Sequence, residues 1–256
     1  MKKYDVVIKS APKDYFKLNL VVDSIKFLNP QPSKIYILSK DGYKPKGTDY
    51  ETKLHNVLDS DIVPFIDRSK LNHRPNWNWI NLVSLFQDFT EQDYYFDIQS
   101  DNFFLNEIDL FDENGTPKIF RSTVNPANVN GWKPYFNFSE KVFDLPKISN
   151  GFSYIIEFLM YNKNHLKKLV EMYDSFDSMM EVIYSNINND SYPADQEIFG
   201  NLVEKYFGGE YTFVDNFPVH FTGTEGSPII EDIVQYINFV KTQLPQTFSC
   251  AYHTWT

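Results

Sequence analysis

The chain has 256 residues, 42% of them apolar and 17% aromatic, which supplies buryable surface for one self-folding α/β domain and excludes a disordered chain. A net charge of -10 repels phosphate backbones and anionic lipid, so nucleic acid is excluded as a partner, while a nucleotide bound through a metal stays open. The single cysteine, Cys250, excludes an intrachain disulfide and a multi-thiolate zinc centre.

Tyr4 to Ile8 reads as a buried strand, because Val6, Val7 and Ile8 are consecutive and β-branched and the polar SAPKD turn follows. The opening MKKYDVVIKS enters this strand without the apolar region of a signal peptide, and no run of about 18 apolar residues occurs, so a cytoplasmic protein without a membrane-spanning segment is expected. Asp14 is placed to cap the next helix. In it Leu18, Val21, Val22, Ile25 and Leu28 recur at the helical period until Asn29-Pro30 stops it. Lys34 to Ser39 is a second strand; strand, helix and strand within about 40 residues predict a right-handed βαβ unit and a parallel sheet. Asp41 to Thr48, rich in Gly, Lys and Pro, is a surface loop.

SDIVP, ending at Pro64, reads as a third strand. Trp79, Leu82, Val83, Phe86 and Phe89 mark one helical face that packs on the sheet. An aromatic strand from Tyr94 then runs into a polar turn at Gln99 to Asn102. Pro117 to Thr123 is another strand, followed by an Asn/Pro/Gly-rich loop to Trp132, where Trp132 and Tyr135 are candidates to stack on a sugar or base. Leu166, Leu169, Val170 and Tyr173 mark a helix; Ile198, Phe199, Leu202, Val203 and Phe207 mark a second, opened by the acidic turn PADQE. TFVD is a short strand, and after HFTGTEGSP a final helix carries Ile230, Ile233, Val234 and Ile237.

Ligands of open α/β sheets gather at the carboxyl ends of the strands. Asp101, just past the Tyr94 to Ile98 strand, is therefore placed to clamp a divalent cation against phosphates, although Asp and Asn at a strand end also make plain turns. No GxSxG, Walker A, HExxH or GxGxxG occurs, which removes support from hydrolase, P-loop and dinucleotide readings.

In FDIQSDNFFLNEIDLF a hydrophobic strand, an acidic turn, a short apolar run and an acidic-Leu-Phe follow one another. The segment resembles the DXD region of GT-A glycosyltransferases, aligning Gln99 and Asp101 with the two aspartates of that motif. Further segments resemble the same superfamily in the same order. KSAPKDYFKLNLVVDSI is similar to the first strand and helix, whose loop receives the nucleobase, here at Lys9, Ser10 and Ala11. PNWNWINLVSLF is similar to a Trp-led helix, with Ile80, Asn81 and Ser84 where the group presents Gln or Lys to the donor. YPADQEIFGNLV resembles an acidic helix start that carries Asp195 and Glu197 toward the acceptor, and HFTGTEGSP resembles an HFxG element that sets a histidine, here His220, on the metal.

The resemblance implies an α/β, GT-A-like Rossmann-type sandwich with a mostly parallel central sheet flanked by helices. It implies a single domain over 1–256, with 1–124 binding the nucleotide sugar and 125–256, ending in a helix, facing the acceptor. The activity implied is transfer of a hexosyl or deoxyhexosyl unit from a nucleoside-diphosphate sugar to a saccharide or glycan acceptor, as in polysaccharide biosynthesis. Gln99, Ser100, Asp101 and His220 would hold the diphosphate and Mn²⁺ or Mg²⁺, an imidazole favouring manganese. Gln99 offers an amide oxygen but no charge; Asp97 shares its face only if the strand continues that far. Asp195 or Glu197 would take the acceptor proton, the alternative being that Asp195 caps the helix and Glu197 enriches its first turn. A sugar-phosphate nucleotidyltransferase and a non-catalytic nucleotide-sugar-binding module are the rival readings.

Overall fold

A computed structural model describes residues 2–62, 66–123, 129–149, 151–221 and 232–252. The first strand, β1 (Tyr4–Ser10), is buried along its whole length. It leads through a 3₁₀ turn, Pro12–Lys17, into helix α1 (Leu18–Ser24), a two-residue strand β2 (Leu28–Asn29) and strand β3 (Ile35–Ser39). Asp14 does not cap α1, because the 3₁₀ turn absorbs it; it pairs at 2.8 Å with Lys17, which holds the N-cap position instead.

The third strand is β4 (Leu54–Leu58), placed earlier than expected, and residues 60–62 of SDIVP belong to the short helix α2 (Asp59–Ile62). LHNVL wins because it pairs residue for residue with β3, from Ile35 opposite Leu54 to Ser39 opposite Leu58. Pro64 lies outside the described residues. Helix α3 (Pro75–Phe86) starts on proline, whose fixed φ suits the first helical turn. Strands β5 (Tyr94–Gln99), β6 (Asn102–Phe104) and β7 (Ile108–Asp109) follow, then β8 (Lys118–Phe120) and β9 (Ser122–Thr123).

Residues 129–143 form helix α4 (Val129–Phe143), so Trp132 and Tyr135 sit on a helix and not on the loop expected there. Proline at 134 lies six residues into α4 and has no backbone N–H to give to the turn before it. Next come β10 (Phe152–Ser153), β11 (Phe158–Asn162), α5 (Lys163–Val170), α6 (Phe176–Asn186) and α7 (Asp195–Tyr206). The described chain closes with β12 (Thr212–Val214), β13 (Val219–Phe221), α8 (Ile233–Gln243) and β14 (Ser249–Ala251). Residue 230, expected in the last helix, lies outside the described residues.

The central sheet has the order β11-β5-β1-β3-β4. Four strands are parallel and β11 alone runs antiparallel, against β5. Successive side chains on a strand face opposite ways. Val6, Ile8, Phe96 and Ile98 pack with Leu18, Val21, Val22 and Ile25 of α1. Val7, Tyr36, Leu38 and Tyr95 pack on the other face with Trp79, Leu82 and Val83 of α3 and Ile198, Phe199 and Leu202 of α7. The sheet is thus covered on both faces, the layering that parallel strands require. Beside it, β13, β14 and β6 make a second, three-stranded sheet that receives the chain from the end of β5.

Candidate functional site

The same period of two that buries Val7 and Tyr95 puts Lys9 and Asp97 on the α3/α7 face of the sheet. β1 and β5 pair with Val7 opposite Asp97 and Lys9 opposite Gln99. Lys9 and Asp97 are therefore diagonal neighbours, and the Lys9 ammonium reaches Asp97 Oδ1 at 2.9 Å and Asp195 Oδ2 at 3.7 Å. Lys9 also donates to Ser84 Oγ of α3. Both side chains of the Lys9–Asp97 pair are 2% exposed, so water screens little of the attraction.

One ammonium and two carboxylates leave an excess of negative charge in a dry place, which is costly unless one carboxylate gives way. Burial, helped by the Asp195 charge and opposed by Lys9, raises Asp97 to about 6. Its Oδ2 is buried without a hydrogen-bond partner among the described residues, as fits a carboxyl near its titration point. Asp195, for its part, accepts from the Tyr161 hydroxyl at 2.9 Å, and its backbone N–H donates to Asn81 Oδ1 at 3.0 Å. Three strands and two helices thus converge on one buried ionic knot.

Above the knot opens a cleft of about 250 Å³ lined by Lys9, Ser10, Ala11, Lys40, Arg68 and Trp79, among others. Its place is the carboxyl ends of β1, β3 and β4, where open α/β sheets bind ligands. The Arg68 guanidinium lies 3.7 Å from the Trp79 ring centre and pairs with Asp59 at 2.9 Å. Arg68 Nε and Trp79 Nε1 are buried donors with no acceptor among the described residues. Buried donors without acceptors are uncommon, and here both border the cleft. Of the three cations that line it, Lys9 is held by Asp97 and Asp195 and Arg68 by Asp59, so Lys40 and the two donors without acceptors are what the cleft offers to an acceptor-rich ligand.

The corner expected to carry the metal lies at the end of β5. Gln99 is its last residue and donates its N–H to the Glu157 carbonyl at 3.0 Å; Ser100 is buried, and Asp101 is half-buried with its carbonyl accepting from the Tyr252 N–H at 2.8 Å. His220 sits on β13, separated from β6 by β14, with Cys250 between it and Phe103 in the register. Its Nδ1 is 2.8 Å from the Tyr236 hydroxyl, and burial lowers its pKa. No three acidic, histidine or cysteine side chains come together at metal-binding distance among the described residues. One carboxylate, one amide and one imidazole, from Asp101, Gln99 and His220, would be the chain's own ligands to a cation here, fewer than a preformed metal site needs. That suits a cation whose shell is completed by phosphate oxygens.

At the start of α7, Ala194 is the N-cap and Asp195 the first helical residue, so Asp195 does not cap the helix; its side chain is turned to Lys9 and Tyr161 instead. Gln196 Oε1 accepts from the Ile156 N–H at 2.9 Å. Glu197 is wholly buried, ion-paired to Lys147 and accepting from the Tyr154 N–H at 3.3 Å; burial raises its pKa and Lys147 opposes the rise. Of the residues singled out in the sequence, the structure brings together Lys9, Ser10 and Ala11 at the cleft and Asp195 beneath it. Asp101 adjoins the small sheet that carries His220, a different sheet from the one over which Asp195 lies, and Glu197 faces Lys147.

Sequence reasoning missed Arg68 and Asp59, and it assigned Lys9 to the nucleobase while overlooking its pairing with Asp97. The signal for the pair was present: YDVVIK and YYFDI each place one charge inside an otherwise apolar buried run, and charges in such runs are rarely left alone.

No known protein-family model matches the chain, and no curated protein matches it in sequence. Among solved structures it is similar to the galactosyltransferase LgtC in complex with donor and acceptor sugar analogues, with a TM-score of 0.50 and 14% identity over 98% of this chain and 87% of that one. An active-site mutant of LgtC gives a TM-score of 0.49 at 13% identity, over 98% of this chain and 88% of that one. The bifunctional glycosyltransferase WbbM in its apo form gives 0.49 at 13%, over 100% of this chain and 46% of that one. The architecture of the chain, a mostly parallel sheet between helices with a small sheet beside it, is the GT-A-type glycosyltransferase fold.

Proposed function

We propose that the chain is a glycosyltransferase that binds a nucleoside-diphosphate sugar in the cleft above Lys9 and passes the sugar to a saccharide or glycan acceptor. The observation that supports this is the cleft at the carboxyl ends of β1, β3 and β4 of a GT-A-type fold, lined by Lys40 and by two buried donors, Arg68 Nε and Trp79 Nε1, that have no acceptor among the described residues. The structurally similar LgtC was solved with donor and acceptor sugar analogues bound, which supports the same ligand classes here.

Ser10 and Ala11 border the nucleobase, and Lys40 and Arg68 meet the diphosphate. Asp101, with Gln99, Ser100 and His220 near it, would hold Mn²⁺ or Mg²⁺ once donor phosphates complete the shell. Such an ion neutralises the diphosphate as it leaves. Asp195 is the carboxylate best placed to take the acceptor proton, because it is the one in the α7 turn that adjoins the cleft floor. Glu197, held by Lys147, fixes the helix start on which Asp195 rides.

A thermal-shift screen of nucleoside-diphosphate sugars with and without Mn²⁺, followed by donor hydrolysis, tests the reading. A donor at about 100 times its Kd raises stability by about 2.7 kcal/mol. Stabilisation with turnover supports a transferase; stabilisation without turnover of any donor supports the binding module; no response to any nucleotide defeats the donor site.

A further inference from the structure

The chain has three arginines, Arg68, Arg74 and Arg121. Arg68 is paired with Asp59, and Arg121 with Glu204 and Asp215. Arg74 is exposed and has no carboxylate within ion-pair distance among the described residues. Its guanidinium lies instead 5.1 Å from the Trp77 ring centre and 5.6 Å from that of Tyr192. The same patch is closed by Tyr135, 4.9 Å edge-on to Tyr192, and by Trp132, 6.4 Å edge-on to Tyr135. Trp77 Nε1 is a further buried donor with no acceptor among the described residues.

The patch is fixed relative to the proposed chemistry. Arg74 is the N-cap of α3, in the left-handed region at φ 43, a conformation that a non-glycine residue adopts only when its surroundings hold it there. One turn along α3, the Trp77 carbonyl accepts from the Asn81 amide, and the oxygen of that amide accepts from the Asp195 N–H. Tyr192 stands three residues before Asp195 on the α7 side. Asn76, Trp79 and Ile80 of the same α3 turns line the donor cleft. The Arg74 patch and the cleft thus share α3, and the patch is tied to Asp195 through Asn81.

We propose that this patch is the acceptor subsite, and that it takes a saccharide bearing a carboxylate, a uronic acid unit. The rings offer apolar faces for a pyranose; Arg74 offers a planar fork that matches a carboxylate, oriented in advance by two rings. The proposal rests on the transferase reading for its name as an acceptor site, but the binding it claims is measured separately.

The probes are a disaccharide ending in glucuronic acid, the same disaccharide ending in glucose, and inorganic phosphate, titrated by calorimetry into the wild-type chain and into Arg74→Gln and Arg74→Lys. The acidic disaccharide is expected to bind the wild type at least about tenfold more tightly than the neutral one, the difference to vanish in Arg74→Gln, and part of it to persist in Arg74→Lys. Unchanged melting of Arg74→Gln, which is expected for an exposed side chain, shows that the loss is local. Equal affinity for the two disaccharides, full retention in Arg74→Gln, or displacement of the uronate by phosphate alone at similar concentration each overturns the proposal. A parallel titration with nucleoside diphosphate isolates the donor reading: its failure there, with the uronate preference intact, would strike the transferase assignment and leave the carboxylate subsite standing.

Discussion

Strand β5 serves two regions that differ in kind. At its middle, Asp97 is locked with Lys9 and Asp195 in a knot away from water. At its end, Gln99 to Asp101 turns into the second sheet, and the polar groups expected to act together, Asp101 and His220, lie on either side of β14. In the knot the charges are assembled by the fold, so their removal damages the fold. At the corner the polar groups are only partly gathered, and the role proposed for them predicts that their removal costs turnover more than stability. The comparison separates Lys9 and Asp97, which build the site, from the corner residues proposed to use it, while Asp195 is tied into the knot and also proposed to meet the acceptor.

The largest effect that would sharpen the contrast comes from Lys9→Met. It strands two carboxylates in a dry interior and should lower unfolding stability by about 3–5 kcal/mol, measured by urea denaturation. A loss near zero would mean that the knot is not an ionic unit. Asp101→Ala should do the reverse: metal-stimulated turnover of the donor falls by roughly a hundredfold or more while the urea midpoint stays put. Near-normal turnover would remove Asp101 from the mechanism.

A smaller effect tests how α7 is seated. In a helix, glycine to alanine ordinarily stabilises by up to about 1 kcal/mol. At Gly200 the added Cβ would come within 2.2 Å of the Tyr154 ring. Gly200→Ala should therefore destabilise by about 1–3 kcal/mol, and the sign is what urea melts would check.

The mildest effect is on pH dependence. Asp97 is raised from 3.8 to about 6 in the folded chain, so the native state binds the extra proton between those values. The contribution of Asp97 to stability is complete below 3.8 and is lost as pH rises through about 6. Asp97→Asn removes this titration, so the difference in urea midpoint between wild type and variant should change across that window and be flat above it. A difference that is constant from about pH 4 to about pH 7 would contradict the raised value.

How much of this is legible in the sequence follows from the range of the interactions involved. The βαβ opening and the α3 and α7 faces are readable because apolar periodicity is local: Val6, Val7 and Ile8 declare a strand, and Trp79, Leu82 and Val83 a helix. That Lys9 to Ala11 would border a nucleobase comes from the resemblance to GT-A enzymes and not from periodicity, and the structure puts Lys9 and Ser10 at the end of β1. β4 escapes because LHNVL alternates weakly and becomes a strand only by pairing with β3. α6 escapes because its start depends on a reciprocal Ser175–Ser178 box, which lacks the acidic residue that usually marks such a cap. The antiparallel β11 escapes because only its pairing with β5 distinguishes FLMYN from any other apolar run. Among the residues proposed for binding, Arg68 and Arg74 are invisible because only the folded packing sets them against aromatic rings, Trp79 for the first and Trp77 and the sequence-distant Tyr192 for the second.

The central claim is that the cleft at the carboxyl ends of β1, β3 and β4 receives a nucleoside diphosphate. Backbone amide shift mapping during titration with nucleoside diphosphates tests it most directly. The account predicts saturable shifts centred on Ser10, Ala11 and Lys40, with affinity reduced about tenfold or more by Arg68→Ala. Shifts confined to another face, or saturation undisturbed by loss of the Arg68 guanidinium, would contradict it.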